Sequence, residues 1–276
     1  MLKLLRANYM RLWKDKIFLF SAVLMFLYGI LIQVVHYLDN INESAGWTLD
    51  FGFFTYTMAA AVLLSIVNAL YIGCEYSDGT MRNKISVGHN RGSIYLSNLI
   101  VSISAGALLC ASYALSAIPS GYMLLGGFTS EPSAVLMYVG LSLLLISVFS
   151  AIFTIIGMLC HNKAYTVACC ILCVFLLIFL GVHIFAALNE PEYYDGYSYT
   201  ENGVTITEEK ERNSNYLTGT KREIYEFMQD FTPGGQLIQV SNMNADDPAM
   251  LAVYNCIILV AVTCCGLIVF RRRDLK

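Results

Sequence analysis

EYSDGTMRNKISVGHNR, residues 75–91, is the longest polar break in the first two-thirds of the chain. One apolar run ends just before it at Cys74, and another begins just after it at Ile94. The break holds Glu75, Asp78, Arg82, Lys84 and Arg91, whereas neither flanking run holds a charge. The nature of those runs therefore decides the fold.

Composition narrows the choice. Hydrophobic residues make up 57% of the 276 positions and charged residues only 13%. A soluble domain carries about 25% charged residues, enough to cover a water-facing surface. This chain does not, which places it among integral membrane proteins.

Six apolar runs are visible: Ile17–Tyr37, Phe51–Cys74, Ile94–Ile118, Ala134–Cys160, Ala164–Leu188 and Met250–Phe270. Each is long enough to cross about 30 Å of hydrocarbon as a helix. None contains Asp, Glu, Lys or Arg. The five prolines all fall between the runs, so no helix is expected to be broken internally. The first run is too long for the apolar core of a cleavable signal, and no small-residue cleavage site ends it.

Basic residues orient the bundle. Thirteen of the 17 lysines and arginines lie in the N-terminal segment, the 75–93 connection, the short 161–163 turn and the C-terminal tail. The two short loops of the other side, 38–50 and 119–133, have none. Positive residues mark the cytoplasmic side, so both termini are expected there. The expected fold is an all-α integral membrane protein of six transmembrane helices.

The ends of the chain differ in kind. Residues 1–16 read as an amphipathic helix, with Leu2, Leu5, Tyr9, Leu12 and Trp13 on one face and Lys3, Arg11 and Lys14 on the other. Such a helix lies along a membrane surface, or else serves as a basic flank that orients the first span. Residues 189–249 form an acidic outer segment, expected to fold as a small extracellular α+β cap. Tyr197–Thr207 alternates around Asn202-Gly203 as a hairpin. Thr220 and Glu223 form a capping box for a helix with Ile224, Phe227, Met228 and Phe231 on its apolar face, ended by Pro233-Gly234-Gly235. The cap reads equally as a lid and as a surface that meets substrate. The remaining units are residues 17–188, holding five helices, and 250–276, the last helix and tail.

The runs hold two further patterns. Nine cysteines lie in or beside them and read as small apolar side chains packed between helices. Ser102, Gly106, Cys110 and Ala114 repeat every four residues in the third run, a row that lets backbones approach within the bundle or at a subunit interface.

No enzymatic constellation is visible. The four histidines lack ligand spacing, and no phosphate-binding G-x-x-x-x-G-K-[ST] loop occurs. The spans lack the intramembrane charge that ion-coupled carriers keep. Active transport would then draw energy from another chain, through the 75–91 surface. Asp78 can cap a short helix from Gly79 to about Val87, with Gly88 as its stop. Met81 and Ile85, one turn apart, offer an apolar ridge to a partner groove, and Arg82 and Arg91 offer charge to its rim. A solvated loop whose charges only fix topology is the alternative.

The six runs, the basic amphipathic N-terminus and the E-Y-x-D-G-T-M-R passage together resemble the permease subunit of a type-2 ATP-binding-cassette (ABC) exporter. DFTPGG at 230–235 and the ending FRRRDLK extend the resemblance over the whole chain. It is most similar to bacterial permeases of the bacitracin-resistance and lantibiotic-immunity kind. The family pattern falls on Glu75, Gly79, Thr80 and Arg91, which border or form its coupling helix. Two positions depart from that pattern. Val87-Gly88-His89-Asn90 stands where a proline is common, and Ser97-Asn98 stands where a lysine is common.

The resemblance implies a non-catalytic subunit of a bacterial plasma-membrane exporter. It implies two copies of a separate ABC ATPase that hold ATP and Mg, a second permease copy or relative, and no cofactor on this chain. A hydrophobic or amphipathic cargo, such as a peptide antibiotic, drug or lipid-like molecule, suits an uncharged pathway; nucleic acid does not. Two other readings stand beside it. One is a non-transporting membrane protein whose cap senses or sequesters a ligand, and the other is a secondary carrier.

Overall fold

The computed structural model describes residues 1–43, 46–160, 162–194, 198–201, 204–207 and 211–272. Among these residues it is an all-α membrane protein with six helices long and apolar enough to cross a bilayer. They cover Lys16–Asn42, Asp50–Ser77, Arg91–Leu124, Pro132–Leu159, Lys163–Leu188 and Pro248–Arg272. Each contains or closely overlaps one apolar run of the sequence and extends past it by a few polar residues, because helical hydrogen bonding continues into the interface.

The helices run in chain order as α1 (Leu2–Leu12), α2 (Lys16–Glu43), a short bent turn α3 (Asp50–Phe53), α4 (Tyr56–Ser77), α5 (Thr80–Ser86), α6 (Arg91–Leu124), α7 (Pro132–Leu159) and α8 (Lys163–Leu188). Four short strands follow: β1 (Tyr193–Tyr194), β2 (Ser198–Glu201), β3 (Val204–Thr207) and β4 (Glu211–Arg212). Then come α9 (Gly219–Phe231), α10 (Pro233–Ser241) and α11 (Pro248–Arg272). The spans α4, α6 and α7 form the buried centre, whereas α2, α8 and α11 turn most of their surface outward.

The row of small residues in α6 packs inside the bundle. A methyl group on Gly106 would come within 2.5 Å of Ile146 on α7 and 3.2 Å of Leu64 on α4. Only a glycine lets these three helices meet so closely. Of the nine cysteines only Cys110 and Cys170 are buried. Cys169, Cys256, Cys264 and Cys265 face outward from the bundle instead of packing between helices.

Pro119 departs from expectation, because α6 continues through it to Leu124. The hydroxyl of Ser116 bonds the carbonyls of Phe26 and Tyr113, and Ser120 bonds the carbonyl of Ser116. These side chains hold the helix and its neighbour α2 together around the position where proline supplies no N–H. At the same end, the Asp50 carboxylate accepts hydrogen bonds from the Thr129 amide at 2.6 Å and the Ser130 amide at 3.2 Å. One side chain thus clamps the two loops that lack basic residues.

Within the 189–249 segment α10 packs into the bundle, whereas α9 has no buried residue and β1 and β4 are exposed. β2 pairs antiparallel with β3, Ser198 opposite Thr207 and Glu201 opposite Val204, as the hairpin reading requires. Tyr197 and the turn residues Asn202 and Gly203 lie outside the described residues. A second pair, β1 with β4, brackets the hairpin.

The helix that follows is capped at Thr218, and neither Thr220 nor a capping-box bond closes its start. Pro233-Gly234-Gly235 does end that helix, since α9 stops at Phe231 with Thr232 as its C-cap. The same three residues open α10, in which Gly234 through Ser241 are all buried. The reason is close contact: a methyl group on Gly234 would fall 1.9 Å from the Leu177 carbonyl oxygen, and one on Gly181 2.2 Å from the Gly234 oxygen. Two glycines let α10 lie directly on the backbone of α8.

Candidate functional site

The polar break folds into two sharp turns around one short helix. Gly79 takes φ +68 between α4 and α5, the left-handed conformation that favours glycine. Asp78 closes α4 and makes no side-chain cap on α5, contrary to the capping role its position suggests. Gly88, at φ +92, ends α5 as the spacing predicts. Its amide bonds the Ile85 carbonyl and the His89 amide bonds the Lys84 carbonyl, the paired bonds of a Schellman stop. Asn90 then caps α6 by accepting from the Gly92 amide at 2.9 Å.

Glu75 is the centre of the site. It sits on the last turns of α4 with a side chain 0% exposed. Arg11 Nη1 stands 2.5 Å from its Oε1, and Lys84 pairs with the same oxygen. Asn98 Nδ2 donates to Oε2 at 3.0 Å. Lys84 Nζ also donates to Asn8 Oδ1 at 3.0 Å, and Asn8 Nδ2 donates to Asn98 Oδ1 at 2.8 Å. A closed ring therefore runs Glu75–Lys84–Asn8–Asn98 and back, joining α4, α5, α1 and α6.

Tyr71 locks the ring from the side. Its hydroxyl donates to the Asn8 carbonyl at 2.9 Å, and its own carbonyl accepts from Arg11 Nη2 at 2.8 Å. The Arg11 guanidinium lies 3.6 Å above the Tyr71 ring, a cation–π contact. Burial pushes the Lys84 ammonium below its ordinary pKa, and the Glu75 carboxylate works against that shift. A buried carboxylate is tolerated here because two cations and one amide compensate it.

The other expected site residues divide into three groups. Thr80 bonds inward, its hydroxyl donating to the Glu75 carbonyl at 3.1 Å. Met81 is 2% exposed and part of the hydrophobic core, and Ile85 packs against that core. The ridge they form thus faces this chain, not a partner. Arg91 reaches the last helix, donating to the Arg271 carbonyl at 3.2 Å. Asp78 and Arg82 remain exposed, beside Asn83, Ser86 and Val87 on the outer surface of α5.

Asn8, Lys84 and Asn98 escaped the sequence reading as functional residues. Asn98, an amide within an apolar run, was the legible signal, because such a group needs a partner in lipid. The partner of Arg11 could not be read, since helical spacing placed it on the solvent side of α1. A second polar feature lies at the opposite end of the bundle. A cavity of about 270 Å³ there is lined by Arg222, Glu226, Asp230, Gln239, Asn244 and Asp246 among others. Burial raises the Asp230 pKa, and the hydrogen bond from Gln239 opposes it.

No protein-family model matches the chain, and no curated protein matches it.

Proposed function

We propose that this chain is the membrane-spanning permease subunit of an ABC exporter, driven by ATP hydrolysed on a separate partner. The observation that carries this reading is the ring at Glu75. A surface helix, α5, is bonded through one buried carboxylate to α1, α4 and α6. A load placed on α5 would reach three membrane-associated helices without slack, which suits rigid-body switching of a pathway.

In this reading both termini and α5 are cytoplasmic, in a bacterial plasma membrane. Two ATPase chains with ATP and Mg meet Arg82, Asn83, Ser86 and Val87, and a second permease copy or relative completes the pathway. The cargo is hydrophobic or amphipathic, because no span carries an acidic or basic side chain along its apolar length. The acidic segment 189–249 faces the exterior and meets cargo that carries positive charge.

The test is co-purification with a nucleotide-hydrolysing chain, followed by ATP-dependent export from vesicles. Arg82→Glu with Val87→Asp is expected to release that partner while the permease stays folded. Glu75→Gln is expected to retain the partner but lose coupled export. Normal export by both variants would refute the coupling role.

A second reading, a non-transporting sensor, is favoured by the polar cavity at Asp230. It predicts ligand binding without any associated ATPase.

A further inference from the structure

Helix α1 has three sides, and only one is fully buried by the protein. Leu4, Asn8 and Leu12 are buried against the bundle. About a third of a turn away on the helical wheel lies the apolar flank of Leu2, Tyr9 and Trp13. On the third side, about a third of a turn further round, lie Lys3 and Lys14, with Arg6 between them and the apolar flank.

The direction of each flank follows from bonds on neighbouring residues. Asn8 meets Ser97 and Asn98, near the start of α6. Tyr9 meets Ser104 at 2.6 Å, two turns deeper along the same apolar helix. The Tyr9 flank therefore points into the apolar slab, and the lysine flank lies to its side, at the edge of that slab. Leu2 is 83% exposed and Trp13 57% exposed on that inward flank. Trp13 packs edge-on against the buried Phe18 at the head of α2, where the next two residues, Leu19 and Phe20, are exposed on the outward face.

We propose that α1 is seated on anionic phospholipid headgroups through Lys3, Arg6 and Lys14, with Leu2 and Trp13 in the acyl layer beneath them. Charge complementarity selects the lipid: three cations stand at headgroup height and no acidic residue lies in α1. Each basic residue near an anionic leaflet shifts the seated equilibrium about five-fold. This inference does not rest on the exporter reading, since it concerns the chain and the bilayer alone.

The chain has two tryptophans, so Trp47→Phe leaves Trp13 as the single reporter. The full-length variant is reconstituted in phosphatidylcholine vesicles, with or without phosphatidylglycerol. Quenching is measured with acyl-brominated lipid and with aqueous iodide. The expected result is stronger quenching by brominated lipid, and weaker by iodide, when phosphatidylglycerol is present. Lys3→Gln, Arg6→Gln and Lys14→Gln together should weaken seating about a hundredfold and erase that lipid dependence. Trp13→Phe with Trp47 retained supplies the background signal and checks that the fold survives.

Equal quenching in both membranes, or no effect of the triple substitution, would overturn the proposal. So would a Trp13 open to iodide in both. That last outcome would mean the flank is kept for a protein partner.

Discussion

Arg11 precedes Glu75 by 64 residues, yet its guanidinium nitrogen stands 2.5 Å from the Glu75 carboxylate. The pair joins a helix lying outside the spans to the end of a buried one. Its partners are all supplied by the same chain, so the carboxylate is a structural keystone whatever docks on α5. Glu75→Ala is expected to cost about 3–5 kcal/mol, because it strands Arg11 and Lys84 beside a void. Glu75→Gln should cost less, since the amide can still bond Asn98. Thermal unfolding in detergent checks both. Combining Glu75→Gln with Lys84→Met should give a non-additive change of about 0.5–3 kcal/mol.

The two sides of α5 should respond differently to truncation. Met81 is buried in the core, and Met81→Ala should destabilise by about 2–5 kcal/mol. Val87 is exposed, and Val87→Ala should stay within about 0.5 kcal/mol. Melting temperatures of the two variants decide this directly. Equal losses would mean that α5 is seated the other way round.

The crossing of α8 and α10 depends on bare backbone. A methyl group on Gly181 or Gly234 would collide with a carbonyl of the other helix. Gly181→Ala and Gly234→Ala should each cost about 1–3 kcal/mol by overpacking. The double variant should cost less than the two singles added, because the first methyl group already parts the helices. Calorimetric or fluorescence melts of the three variants check it.

Lys84 has a pKa below its ordinary 10.5, chiefly through burial. Between the lowered value and 10.5 the unfolded chain binds the proton and the folded chain does not. Stability therefore rises with pH across that window and is level below it. Lys84→Met should remove this alkaline rise, as read from melting temperature against pH.

Asp230 carries the opposite sign. Burial raises its pKa above 3.8, with Asp246, Glu226 and Asp247 adding to the shift. Between 3.8 and the raised value the folded chain holds the extra proton, so stability falls as pH rises through that window. Asp230→Asn keeps an oxygen for the Gln239 amide to donate to and should flatten that fall. An unchanged pH profile would remove Asp230 as its source.

Much of the fold was legible because a bilayer imposes a simple rule. Runs without charge must become helices, and all six did within a few residues of the apolar boundaries. The glycine stop at Gly88 and the pairing of β2 with β3 were legible for a similar reason, since backbone geometry leaves few residues able to serve. The inserted helix α10 was not. Pro-Gly-Gly ends α9, yet Thr232 caps and Pro233 opens α10 at once, and the burial of α10 rests on the backbone of α8 lying against Gly234.

The sequence by itself determined that this is a multi-pass membrane protein, where each span runs, and that its polar break forms a short helix between glycines. Those are local consequences of hydrophobicity and backbone freedom. The tertiary structure alone decided that Glu75 faces inward to Arg11, Lys84 and Asn98, and that Met81 packs on its own core. A buried charge must find partners, and which partners it finds depends on how distant helices meet.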